Sequence, residues 1–241
     1  MIYLGGGGSE QDESQIWDLV FAPTPSPTPN PNRHIVIAIW HQAQPPSHHP
    51  SVISWFTTAL SSRPGSSAFT ILPSSSTTPP HFGLDTADIL FIPGGNTFHL
   101  LQFMREHDLL TAVRAFIARG GKVFGGSAGA LVLGADIGIC DVKNGGLDVN
   151  DIEMEDTQAL GLLGEKGVVY PHFEGGETEQ GGVCQRWADG KGWEVIAMPE
   201  RCGVVADGDG VAMNAGPEEV WVYGKGREVR RYKEGESWRL E

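Results

Sequence analysis

Residues 122–133 read Lys-Val-Phe-Gly-Gly-Ser-Ala-Gly-Ala-Leu-Val-Leu, an apolar lead-in and an apolar exit around a serine boxed by very small residues. Few local structures accept that string. A strand that turns sharply into a helix, with Ser127 at the apex, is one that does. Such a turn forces strained backbone angles and leaves no room beside the serine, so its neighbours must be nearly without side chains. It points the Ser127 hydroxyl away from the sheet and puts the Ala128 amide at a helix N-terminus, facing any developing negative charge. On these residues alone, the alternative is a tight strand-to-helix turn with no chemistry.

The segments before the elbow repeat the same alternation. Met1–Leu4 reads as a buried strand, followed by Gly5-Gly6-Gly7-Gly8-Ser9 and by Ile16, Trp17, Val20 and Phe21 at helical spacing. A helix capped near Ser9 is expected. The four glycines could cradle a phosphate, but a P-loop lysine is missing and Glu10, Asp12 and Glu13 follow, so a plain strand-to-helix turn is the expectation. The run PTPSPTPNP from Pro23 cannot form a helix or an interior strand, and residues 23–32 read as an extended surface insertion. His34–Trp40 is a strand, Val52–Leu60 a helix, Ala68–Leu72 a strand and Pro73–Pro80 a polar loop. His41, His48 and His49 lie in a Pro/Ser-rich stretch without a carboxylate or cysteine to complete a metal site, so a solvated loop is expected.

Asp88–Pro93 is a strand that ends in Gly94-Gly95-Asn96-Thr97 and runs into the helical pattern of Phe98, Leu101, Phe103 and Met104. Exposed amides at the end of a strand and the start of a helix sit where open α/β sheets bind ligands, so an oxyanion donor fits here. An ordinary turn before a helix capped by Asn96 or Thr97 fits equally. Asp108–Arg119 is a further helix, and the alternation indicates a parallel sheet covered on both faces. Beyond the elbow, Asp136–Asp156 reads as loop with short elements. Gly167–Pro171 is a strand with His172 just past its end, a natural general base for an elbow serine. Val195–Pro199 is another strand, with Glu200 placed to accept the second ring N–H of His172. From Cys202 onward, short strands broken by Asp207–Gly210, Gly216-Pro217 and Gly224–Gly226 indicate hairpins rather than a calcium loop.

Bulk properties narrow the function. A net charge of −13 repels nucleic acid and anionic membranes alike. The absence of an apolar run near ~18 residues or of a basic-then-apolar leader argues for a cytoplasmic protein. Three cysteines, Cys140, Cys184 and Cys202, cannot all pair and suit a reducing compartment. The histidine follows the serine too soon, and the elbow comes too late, for the α/β-hydrolase order of serine, acid and histidine.

Taken together, IYLGGGGSEQDE, IPGGNTFHLL, GGSAGALVLG, GLLG…VVYPHF and a closing PE resemble the peptidase E family of serine peptidases, which includes aspartyl dipeptidase and cyanophycinase. The likeness covers nearly all of residues 1–241 as one domain and is densest from Asp88 to Phe173. It implies a fold similar to class I glutamine amidotransferases: an α/β three-layer sandwich with a mostly parallel central sheet, a nucleophile elbow and C-terminal hairpins. It also implies Ser127 as nucleophile, His172 as base, Gly95 and Ala128 as oxyanion donors, and substrate contacts at Gly94, Asn96, Thr97 and Glu179, with no cofactor or metal. Glu200 matches the glutamate of the family's PE segment, and Asp141 lies near an alternative acid. Glu200 is preferred, because a strand end is a rigid place for an orienting group.

One departure bears on specificity. Aspartyl dipeptidases carry an arginine in a segment like G-E-T-R, and here the stretch is Gly176-Glu177-Thr178-Glu179. A carboxylate at Glu179 reverses the sign of that contact. The expectation is therefore a dipeptidase-like hydrolase of small peptides, monomeric or homodimeric, without commitment to aspartyl-X bonds. A catalytically silent binding protein and an esterase on the same fold are the alternatives, while glutamine amidotransferase chemistry needs a cysteine at the elbow.

Overall fold

In the computed structural model, residues 1–22, 34–63, 69–73 and 83–241 are described. The Pro-rich insertion at 23–32 and nearly all of the polar loop at 73–80 lie outside them. Strands β1 (Ile2–Gly5), β2 (Ile35–Ile39), β3 (Phe69–Pro73), β4 (Ile89–Ile92) and β5 (Lys122–Gly126) form the parallel half of an eight-stranded sheet, in the order β1-β5-β4-β2-β3. On the other side of β1, strands β8 (Gly203–Ala206), β9 (Val211–Asn214) and β12 (Ser237–Arg239) continue it antiparallel.

Period-two alternation divides these strands between two cores. Tyr3, Ile37, Ile39, Ile89, Phe91 and Phe124 point to one face, where α1 (Ser14–Phe21) and α2 (His49–Ser61) cover them through Ile16, Trp17, Val20 and Phe56. Ile2, Leu4, Leu90, Ile92 and Val123 point to the other, against α3 (Thr97–Glu106), α4 (Leu109–Ala118) and α5 (Ala128–Leu133). Both faces are covered, as the strand-helix alternation requires.

The later strands depart from a single central sheet. β6 (Gly167–Tyr170) and β7 (Glu194–Ala197) pair in parallel with each other, and β10 (Val220–Tyr223) and β11 (Arg230–Tyr232) extend them into a separate four-stranded sheet. The strands that precede His172 and Glu200 are thus neighbours in a second sheet, whose core is continuous with that of α3–α5. A helix that apolar spacing does not reveal, α6 (Glu179–Lys191), packs on β7 and β10 and buries Gly181, Val183, Cys184 and Ala188. Its buried positions are small, so no stripe of large apolar residues marks it. The turns at Asp207–Gly210 and Gly224–Gly226 join β8 to β9 and β10 to β11 as hairpins. Cys140, Cys184 and Cys202 are all unpaired and buried. Among the described residues, no helix is long and apolar enough to cross a membrane.

Candidate active site

β5 passes into α5 through Ser127, whose φ of 52° and ψ of −112° place it in a sparsely populated region for a residue with a side chain. The small neighbours are sterically required. A Cβ on Gly125 would lie 2.3 Å from the Gly129 carbonyl oxygen, and one on Gly129 would lie 2.0 Å from that of Ile92. Ala128 is the first residue of α5, so its amide is among those with no acceptor inside the helix.

The Ser127 hydroxyl lies 2.9 Å from Nε2 of His172, and Nδ1 of the same ring lies 2.9 Å from a carboxylate oxygen of Glu200. A nitrogen facing a carboxylate carries the proton, which leaves Nε2 free to accept from the serine. The His172 side chain is 29% exposed and that of Glu200 59%, so the chain of bonds runs from a half-buried serine out to solvent. His172 also has a left-handed φ of 54°, held by its own amide donating to the Gly6 carbonyl at 2.8 Å. Asp141, the alternative acid, is engaged elsewhere: it accepts the Lys143 amide at 2.9 Å and caps a short turn at Val142–Asn144.

The turn after β4 faces the elbow. A Cβ on Gly94 would lie 3.1 Å from Cβ of Ser127, and Gly95 has φ +144° with the Ala43 carbonyl where its own Cβ would be. Gly95 can therefore be nothing larger, and its backbone stands beside the serine through Gly94. Asn96 and Thr97 are engaged structurally. The Asn96 carboxamide oxygen caps α3 by accepting the Phe98 and His99 amides, and its nitrogen donates to Val149 O. Thr97 is fully buried, and its amide and hydroxyl both donate to Asp148. Glu179 opens α6 and lines a separate depression with Lys143, Arg186 and Lys191, rather than either of the two that reach Ser127.

A narrow cleft beside Leu131, Cys140, Asp148 and Tyr170 also reaches Ser127 and His172, and the larger cavity there, of about 270 Å³, is lined by Glu13, Gln44, Trp55, Gly94, Ser127 and His172 among others. Sequence reasoning missed two of its walls. The 41–49 segment is solvated only in part: residues 45–48, with His48, are exposed, whereas His41 is buried, its ring lies 4.1 Å from that of His49, and burial and the neighbouring imidazole push it down to about 4. The same segment holds the Gly94–Gly95 turn, through Asn96 N–H to Ala43 O at 2.8 Å and Gln44 Nε2 to Gly94 O at 2.9 Å. Among the described residues no cluster suited to a metal ion is found.

The second missed wall is the glycine run. A Cβ on Gly7 would lie 2.3 Å from Cε1 of His172, one on Gly6 1.8 Å from Pro199 O, and one on Gly8 2.5 Å from Glu200 O. The glycines exist because His172 and Glu200 pass this close. Helix α1 begins at Ser14 rather than near Ser9, because residues 9–13 form a turn closed by Ser9 and Asp12 and ended by Glu13 N–H to Ser9 O. Glu13 is only 5% exposed, accepts the Gly7 amide at 2.8 Å, and burial pushes its carboxyl up to about 7. A signal for it was available: Glu13, Ile16, Trp17 and Val20 share one helical stripe, and an acid on a buried stripe is anomalous.

Similarity to known proteins points to one family. The model of peptidase family S51 matches residues 49–213. Peptidase E of Actinobacillus pleuropneumoniae serotype 5b is 38% identical over 99 residues, covering 40% of this chain and 38% of that protein. Peptidase E of Salmonella paratyphi A is 30% identical over 157 residues, covering 62% of this chain and 65% of that protein. The chain thus matches less than two thirds of the length of either curated relative. In fold it is similar to a peptidase from an acI-B1 actinobacterium, with a TM-score of 0.68, 17% identity and coverage of 99% of this chain and 96% of that one. A Listeria monocytogenes protein gives 0.64 at 15% identity, covering 96% and 97%.

Proposed function

The chain belongs to peptidase family S51, and on that footing we propose that it is a serine peptidase that hydrolyses small peptides through an acyl-enzyme. The observation that carries the reading is the relay of two 2.9 Å contacts from Ser127 through His172 to Glu200, starting at a serine held in a strained elbow. Ser127 Oγ attacks the scissile carbonyl carbon while its proton passes to Nε2 of His172. The amides of Gly95 and Ala128 hold the resulting oxyanion. Collapse breaks the C–N bond, and the departing amine takes the proton from His172. Water then adds to the acyl carbon as its proton passes to His172, the C–Oγ bond breaks to release the acid, and Ser127 Oγ takes that proton back. Glu200 keeps the imidazole in the required tautomer and stabilises its charged form.

The same reading disfavours an acidic residue on the acyl side of the bond. Of the two depressions that reach Ser127, the larger carries Glu13 and His172 and the narrower Cys140, Asp148, Tyr170 and His172, and neither is lined by an arginine or lysine that could pair with an aspartyl carboxylate. A panel of dipeptides with varied N-terminal residue, assayed by amine release, tests both claims. Cleavage of neutral or basic dipeptides in preference to aspartyl ones, abolished in Ser127→Ala, is expected. Failure to cleave any member, or equal cleavage by Ser127→Ala, would overturn the assignment.

A further inference from the structure

We infer that Glu13 is a positioning residue for His172, acting by gripping the glycine loop on which the imidazole rests. The inference builds on the reading of Ser127 and His172 as nucleophile and base. Its geometry is independent of that reading. Oε1 of Glu13 accepts the Gly7 amide at 2.8 Å, Oε2 faces the Trp17 indole N–H at 3.4 Å, and the Gly8 amide also faces the carboxylate. The carboxylate occupies the space a Gly5 side chain would need, since a Cβ there would lie 2.4 Å from Oε1. Gly7, directly above, touches the imidazole: a Cβ on it would fall 2.3, 2.5 and 2.8 Å from Cε1, Nε2 and Nδ1. Gly6, one residue earlier, accepts the His172 amide. The loop therefore contacts His172 at both its backbone and its ring face, and Glu13 holds the loop from below.

All three groups facing the carboxylate are donors. The ionised form satisfies them, whereas a protonated carboxyl turns an O–H towards an N–H and loses at least one of the bonds. Protonation is therefore expected to loosen the loop and the ring. The charged and titratable groups around Glu13 are Asp12 beside it, the buried Cys202 thiol, and His172 and Glu200 across the glycine loop. Burial and the Asp12 charge both raise the Glu13 carboxyl, to about 7, so the switch falls near neutrality.

Glu13→Gln copies the protonated state in shape and polarity, with an amide nitrogen set against the same donors. The test is the rate of labelling by a fluorophosphonate probe, normalised to folded protein by thermal unfolding, across a range of pH. Above neutrality Glu13→Gln should label about 10-fold more slowly than wild type, and the ratio should shrink towards unity as pH falls through about 7. Glu13→Leu, which removes every acceptor, should label about 100-fold more slowly while remaining folded enough to measure. A ratio near unity at all pH values, or a deficit that does not vary with pH, would overturn the inference and leave the peptidase reading intact. Failure of wild type itself to label would overturn both.

Discussion

Glu200→Gln tests how the base is oriented, and its magnitude follows from exposure. The carboxylate oxygen lies 2.9 Å from Nδ1, but the Glu200 side chain is 59% exposed and that of His172 29%. An imidazolium and a carboxylate with centres about 4 Å apart attract by about 1 kcal/mol in water and about 4 kcal/mol at an effective dielectric of 20. This exposure places the pair towards the watery limit, near 1–2 kcal/mol, or roughly 5–30-fold in kcat/KM. A buried orienting acid behaves differently: its amide replacement is locked in the wrong sense and stabilises the wrong tautomer, at about 10⁴-fold. Here the replacement amide is free to turn its oxygen towards Nδ1–H, so the tautomer survives. The assay is kcat/KM on the best dipeptide, with Asp141→Asn alongside; that variant keeps its cap on Lys143 and should match wild type. A loss near 10⁴-fold for Glu200→Gln, or no loss accompanied by a large one for Asp141→Asn, would refute this reasoning.

Other expectations follow from the same contacts. Gly95→Ala drives a Cβ to 2.2 Å from Ala43 O at a φ of +144°, so the turn must shift; activity should fall by about 10²-fold or more in a kcat measurement on folded protein. Gly129→Ala crowds Ile92 O at 2.0 Å and should lower stability by about 1–3 kcal/mol in urea unfolding. For Glu13 the pH dependence of stability runs opposite to that of activity. Its carboxyl is higher in the folded state, about 7 against a reference of 4.5, so the folded state binds the extra proton between those values. That contribution is complete below the reference value and is lost as pH rises through about 7. Wild type should therefore lose up to roughly 3 kcal/mol relative to Glu13→Gln over that range, read from urea unfolding at several pH values.

The parallel half of the fold was legible because its signals are local. Apolar runs that end in glycine turns marked β1, β4 and β5, and the boxed serine marked the elbow directly. His172 and Glu200 were legible for the same reason, each standing just beyond the end of a short strand. What escaped was set by distant contacts. Nothing local says that β6 and β7 leave the central sheet to pair with β10 and β11, since either sheet buries the same Val-rich strands. The helix at Glu179–Lys191 hides because small residues make its buried face. Gly5–Gly8 read in isolation as a plain strand-to-helix turn, and only the approach of Glu13, Pro199, His172 and Glu200 explains why all four are glycine. Asn96 and Thr97 likewise read as ligand contacts until the cap on α3 and the pairing with Asp148 account for their polar atoms.

The most direct test of the central claim is the intact mass of wild type and Ser127→Ala after exposure to a fluorophosphonate. Wild type should gain a single phosphonyl adduct and Ser127→Ala none, as expected of a serine activated by the 2.9 Å contact with His172. An unmodified wild type, or an adduct that persists in Ser127→Ala, would contradict the account.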